Sequence, residues 1–142
     1  KGGYPELELF QSEYSLLGSG YTFGHPPGDL SPMEGAISLA RVIHADLVHA
    51  GVTGWSWWST FGLEKFHKNF DTDRFALVRF ALNSDTTEAV YRTSKLLYTL
   101  GNYSRFIRPG MHRITVERSD QLSDLESVTG LMVSAWADTA GG

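Results

Sequence analysis

The 142-residue chain has no cysteine, which excludes a disulfide scaffold, a thiolate nucleophile and a cysteine-based zinc site. It also lacks a basic run. Lysine and arginine are scattered and the net charge is -4, so neither a nucleic acid nor an anionic membrane surface is expected as a partner. No apolar run is long enough for a membrane-spanning helix, and there is no internal repeat or low-complexity tract. What the chain has in plenty is aromatic side chains. Four Trp, six Tyr and eight Phe are more than the core of one domain of this length needs, and some are expected to face a ligand. Lys1 is not an initiator Met, no signal-peptide pattern precedes the first strand, and the chain stops just after an apparent strand. A piece of a longer protein is therefore expected.

Hydrophobic patterning predicts an α/β organisation. Leu7, Leu9, Gln11 and Glu13 share one parity and Phe10 and Ser12 the other, so on a period-2 strand the two sets project to opposite sides. Apolar residues on both sides predict a strand buried on both faces of a parallel sheet. Residues 16–30, rich in Gly and Pro, read as a loop. Ser31-Pro32-Met33-Glu34 then predicts a helix start, with Ser as N-cap, Pro at the first helical position and Glu closing a capping box. Met33, Ile37, Ala40, Ile43 and Leu47 recur at helical spacing until Gly51 stops the helix. Val52 to Ser59 follows as a second strand, which completes a βαβ unit. Within residues 60–91, the run Phe75 to Leu82 fits a strand or a helical turn equally well. A second helix is expected over about 93–106, ending before Pro109-Gly110. Beyond it, 112–117 and 130–136 alternate as strands of an antiparallel sheet.

Two places on this outline can carry chemistry. Glu13 and Trp58 both fall at strand C-terminal ends, where parallel (β/α) barrels build their active sites. A carboxylate there can attack an anomeric carbon if a second carboxyl group protonates the leaving oxygen; taken alone, a helix-capping or salt-bridged Glu is the commoner reading. Indole offers a flat apolar face to the C–H side of a sugar ring and an N–H that donates a hydrogen bond. Trp57 and Trp58 are adjacent, so only one can face a barrel axis, and Trp55 and Trp57 read better as packing residues. Tyr14, Tyr21, His25 and Asp29 lie close enough in sequence to line the same site. His44 and His49 are five positions apart, roughly 140° on an α-helix, which argues against a shared metal. His67-Lys68 and Asp71-Thr72-Asp73 read as a solvated loop rather than a calcium site. Arg105 and Arg108 are expected to pair with carboxylates or carbonyls at the end of the second helix.

Four blocks, Leu9-Phe10-Gln11-Ser12-Glu13-Tyr14, Ala40 to Leu47, Gly54-Trp55-Ser56-Trp57-Trp58 and Lys95 to Gly110, occur in the order found in the C-terminal part of glycoside hydrolase family 30, which the chain resembles. The resemblance implies the C-terminal part of a (β/α)8 TIM barrel, strands 7 and 8 with their helices over residues 1–108, followed over 109–142 by the start of an antiparallel β-sandwich side domain. It implies a retaining hydrolase of β-glycosidic bonds with Glu13 as the catalytic nucleophile. Trp58 would be the sugar platform, and Tyr14, Trp57, Tyr21 and His25 further substrate-binding candidates. No metal and no cofactor are implied; the partners would be a polysaccharide or oligosaccharide substrate and the rest of the protein's own barrel. The family's acid/base Glu follows an Asn on an earlier strand, and no Asn-Glu pair occurs in this chain. The Gln11-Ser12-Glu13-Tyr14 form and the block ending at Gly110 look most like endo-β-1,6-galactanases, with glucuronoxylanase, β-glucosidase and glucosylceramidase types as alternatives. The family implies a secreted or periplasmic location. From another class, a non-catalytic carbohydrate-binding module would use the tryptophans alone, and a structural α/β domain would have no sugar chemistry. Two strands of an eight-stranded barrel leave edges and apolar faces uncovered, so poor solubility is expected of this segment by itself.

Overall fold

The computed structural model describes residues 7–16, 32–63, 76–82, 89–123 and 125–138. Strand β1 (Leu9–Tyr14) is followed by helix α1 (Pro32–Ala45), which runs on into a π-helical turn (Asp46–Ala50) and then strand β2 (Val52–Trp57). The two strands pair in parallel, so the βαβ unit predicted from the capping and periodicity signals is present. Gly51 ends the helical run with φ 66°, a left-handed conformation that costs glycine nothing. Ser31 lies outside the described residues, so the capping box is left aside.

One face of the β1–β2 sheet is covered by α1 and by helix α2 (Lys95–Ser104). Leu39 and Ile43 of α1, Trp57 of β2, Leu96 of α2, and Leu77 from outside these elements form the buried cluster, with Tyr14, Leu16, Leu47, Trp55, Leu97, Leu100 and Tyr103 packed around it. The helices are stitched together by polar side chains. The Tyr103 hydroxyl donates to the Ala40 carbonyl at 2.9 Å, and the Thr99 hydroxyl to the Ala36 carbonyl at 3.3 Å. Burial pushes the Tyr103 hydroxyl pKa above its ordinary value, because the phenolate would lose hydration there. Ser94 caps α2: its hydroxyl accepts from the Leu97 amide and donates to the Leu77 carbonyl, which fastens the helix start to the chain at Leu77.

Two expectations are corrected here. The buried stripe of α1 runs through Ala36, Leu39 and Ile43, while Met33 and Ile37 are exposed; the helix is rotated so that its small residues meet α2 and allow close approach. Strand β1 is not buried on both faces: Leu9 and Phe10 are exposed, Phe10 at 63%, because among the described residues only the helix side of the sheet is covered.

Past β2, a second sheet is built in the order β3 (Phe61–Leu63), β4 (Val78–Leu82), β5 (Ala89–Thr93). Strand β4 is parallel to β3 and antiparallel to β5, which resolves the run ending at Leu82 as a strand. The amides of Leu77 and Val78 donate to the carbonyls of Ser59 and Thr60, so this sheet is anchored directly on the chain leaving β2.

After α2, β6 (His112–Ile114) and β7 (Ala135–Ala137) form the expected antiparallel pair, shorter than the patterning suggested. The Leu131 carbonyl is taken by the Arg118 guanidinium at 2.7 Å. Arg118 also donates to the Asp120 carboxylate, Nε to Oδ1 at 2.8 Å. That hydrogen bond, helped by the Leu122 amide, holds the Asp120 carboxyl below its usual range. Ser123 and Glu126 form a reciprocal capping box at a 3-10 turn (Glu126–Thr129). The Glu126 carboxylate accepts from the Ser123 amide and hydroxyl, and the Ser123 hydroxyl accepts from the Glu126 amide. The Ser123 hydroxyl is the main cause of a lowered Glu126 pKa. The Arg41 guanidinium of α1 reaches the Thr129 carbonyl at 3.3 Å. Arg108 donates to the Ser104 carbonyl at 2.8 Å and Arg105 lies over the Phe106 ring, the first of these as expected.

Candidate active site

The pairing of β1 with β2 is interrupted twice. Leu9 faces Val52 and Phe10 faces Gly54; then Gln11 faces Trp55 and Tyr14 faces Trp57. The first slip leaves Thr53 as an extra residue on β2. The second leaves one extra residue on β1, since Ser12 and Glu13 both lie opposite Ser56 alone. Such a bulge re-aims side chains, and here it breaks the parity expected from sequence. Gln11 and Tyr14 are the half-buried residues of β1, whereas Phe10, Ser12 and Glu13 are exposed. The parity of Gln11 and Glu13 is therefore not kept: Tyr14 packs with Trp55 and Trp57, and Glu13 is exposed.

Alternation along β2 gives the same division. Trp55 and Trp57 lie on the helix side, their rings stacked at 6.3 Å between centroids and 18° between planes. Tyr14 packs against both, at 6.0 and 6.3 Å. Trp57 is 9% exposed and sits in the core, while Trp58, the next residue, is 45% exposed. Of the adjacent pair, Trp58 is thus the more exposed ring, and Trp57, also considered for substrate binding, has a packing position. The Trp58 amide donates to the Tyr14 carbonyl at 2.9 Å, which extends the parallel ladder past the end of β2 and brings the residue after Glu13 against Trp58. The Trp58–Ser59 peptide is cis. Tyr21, His25 and Asp29 lie outside the described residues, as do His67, Lys68 and the Asp71 to Asp73 segment.

Gly54 is set by its neighbour. The ring of Phe10 lies so close over its α-carbon that an added Cβ would overlap the ring. On the other side of the sheet, the Trp55 indole N–H donates to the Asp46 carboxylate at 2.8 Å. Asp46 opens the π turn, and sequence reasoning did not single it out, because an isolated Asp near a helix end carries no motif. The same turn corrects the histidine geometry. With i→i+5 bonding in place of i→i+4, residues five apart come to one side, and the rings of His44 and His49 meet edge to face at 6.5 Å. Among the described residues no group of three or more potential metal ligands is found. A cavity of about 1250 Å3 opens at the other end of the strands, lined in part by Val52, Thr53, Pro109 and His112. It includes neither Glu13 nor Trp58.

Comparison with known proteins agrees with the sequence resemblance. Residues 1–69 match the model of O-glycosyl hydrolase family 30. A crystal structure described as a conserved exported protein from Bacteroides fragilis superposes with a TM-score of 0.70 at 29% identity, over 92% of this chain and 26% of that one. The catalytic domain of GH30 xylanase C from Talaromyces cellulolyticus gives 0.61 at 21% identity, over 95% of this chain and 26% of that one; this second likeness speaks for the fold. No curated protein matches. The mixed α/β architecture is similar to that of a family 30 catalytic domain, and the family match spans β1, α1 and β2. The chain spans about a quarter of the length of the solved structures it matches. Among the described residues no helix is long and apolar enough to cross a membrane.

Proposed function

We propose that this chain is the C-terminal part of the (β/α)8 barrel of a retaining glycoside hydrolase, with Glu13 as nucleophile. In this reading β1 and β2 are the seventh and eighth barrel strands, residues 1–108 complete the barrel, and 109–142 begin a β-sandwich side domain. The observation that supports it best is the placement of Glu13 and Trp58, both exposed, at the C-terminal ends of two parallel, adjacent strands. Parallel barrels build their sites at that end.

In the first step one carboxylate oxygen of Glu13 attacks the anomeric carbon. A carboxylic acid from another barrel strand, about 5–5.5 Å from it, protonates the departing glycosidic oxygen. Water then releases the glycosyl-enzyme with the roles of that second group reversed. Trp58 gives the sugar ring a flat apolar face beside the nucleophile, while Tyr14, packed against Trp55 and Trp57, supports the strand end from the helix side. Tyr21 and His25, which lie in the sequence between β1 and α1, are further subsite candidates.

The substrate class is a β-linked polysaccharide or oligosaccharide, with endo-β-1,6-galactan preferred for the Gln11-Ser12-Glu13-Tyr14 form of the nucleophile strand. Export from the cell fits the same reading, since one structural neighbour is described as exported. The test is Glu13→Gln in the intact enzyme, assayed on an activated aryl β-glycoside and on galactan. Turnover falls by ~10⁴-fold or more, as for loss of other covalent nucleophiles, with an unchanged circular dichroism spectrum. Wild-type turnover by the variant would refute the assignment.

A further inference from the structure

We propose that Asp46 is a positioning residue for the nucleophile, acting through Trp55. The inference rests on Glu13 being the nucleophile, and it concerns what holds the bulge that presents it. The bulge leaves Ser12 and Glu13 opposite one residue of β2, so the ladder alone does not fix the Glu13 backbone. What confines it is Tyr14, whose ring is wedged against Trp55 and Trp57. Those two rings are stacked, so the orientation of one sets the slot available to Tyr14 and to the other. Trp57 is held by the core. Trp55 is only half-buried, and its one polar handle, the indole N–H, is clasped by the Asp46 carboxylate at 2.8 Å.

Indole N–H is a donor with no acceptor capacity, and a carboxylate acceptor makes the bond a charge-assisted one. The helix is built to deliver this acceptor. It changes from α to π bonding at Asp46, and the Gly51 amide closes on the Asp46 carbonyl, so the widened turn pins the residue whose side chain grips Trp55. The route is short: Asp46 to Trp55, Trp55 to Tyr14, Tyr14 to the adjoining Glu13. None of these contacts reaches the sugar-facing side of the sheet, so Asp46 touches no substrate.

Because a misplacement of about 1 Å costs on the order of 10²-fold in a positioned reaction, loss of this bond is read in kcat. The experiment compares the intact enzyme with Asp46→Ala, Asp46→Asn, Trp55→Phe and the Asp46→Ala/Trp55→Phe pair on an activated aryl β-glycoside. Active sites are counted by trapping the glycosyl-enzyme with a 2-fluoro glycoside, so that misfolded molecules do not enter the rate. Asp46→Ala is expected to lower kcat per trapped site ~10-fold or more, with KM within about twofold of wild type. Asp46→Asn, which keeps an acceptor oxygen in place, restores most of the rate. The double variant is no slower than Trp55→Phe, since both changes remove one bond. A wild-type kcat per trapped site in Asp46→Ala, or a double variant slowed by the product of the single effects, overturns the inference. Should Asp46→Ala not fold, Trp55→Phe against Asp46→Asn decides: equal, wild-type rates in both overturn it. Glu13→Gln runs in parallel; if it retains turnover or the trapped sugar sits elsewhere, the nucleophile assignment itself has failed.

Discussion

The backbone amide of Trp58 donates to the carbonyl oxygen of Tyr14 at 2.9 Å, one residue beyond the end of β2 and one residue after Glu13. The strand of the proposed nucleophile and the proposed sugar platform are thus joined by main chain, so the spacing of their backbones does not depend on the rotamer of either side chain.

Because Trp58 is half-exposed, its removal is expected to be felt by the sugar more than by the fold. Trp58→Ala should raise KM about tenfold, from a stacking contribution of ~1 kcal/mol and the apolar area lost with it. Melting should shift little. Steady-state kinetics beside a thermal melt separate the two, and a large drop in melting temperature with an unaltered KM would assign Trp58 to packing instead.

Gly54→Ala should destabilise by ~1–3 kcal/mol, the usual cost of overpacking, because the Phe10 ring occupies the space of the new methyl group. Phe10→Ala in the same molecule should recover most of it. Denaturant unfolding of the two single variants and the pair gives the coupling directly.

Tyr103→Phe removes the hydroxyl that joins α2 to the Ala40 carbonyl, and a loss of ~1 kcal/mol is expected, as for a typical intramolecular hydrogen bond. The alkaline limb should also change. A folded-state pKa raised above the ordinary 10.0 contributes stability that is whole below pH 10 and is lost as the pH rises through the folded value. Wild type should therefore weaken above about pH 10 more steeply than Tyr103→Phe. Parallel slopes in urea titrations from pH 9 to 11 would contradict this.

The 3-10 turn should loosen in acid. Asp120 and Glu126 are held below ordinary values of 3.8 and 4.5, so their contributions are present above those values and are lost as the pH falls through the lowered ones. NMR titration of the Ser123 and Leu122 amides should show this transition, and Glu126→Gln should abolish it at Ser123 while leaving it at Leu122.

Much of this architecture was legible in the sequence, and the failures have physical causes. The βαβ unit follows from the apolar spacing of α1, the stop at Gly51 and the strand runs on either side. The second helix, expected over about 93–106, and the antiparallel pair after Pro109 were equally local. What period-2 reasoning could not give was the side of Glu13, because the slip at Ser12 and Glu13 depends on the partner strand. A fixed 3.6-residue period likewise misplaced His49 relative to His44, since nothing in Asp46-Leu47-Val48-His49-Ala50 announces a π turn. The stripe through Met33 and Ile37 was misread because Gly35, Ala36 and Ser38 look weakly apolar yet are buried, with Ala36 meeting Thr99 of α2. Strands β3 and β5 were missed: β3 is three residues long, and β5 is exposed along its length.

The two slips between β1 and β2 run in opposite directions, an extra residue on β2 followed by one on β1. They act like an insertion and a compensating deletion in a reading frame: from Leu9 opposite Val52 to Tyr14 opposite Trp57, five steps on each strand are restored to step. Whatever hangs from the strand ends, α1 on one side and the β3–β4–β5 sheet on the other, is not displaced. The stretch that carries Glu13 is therefore a private irregularity, free to be re-cut for a different sugar without moving the scaffold around it.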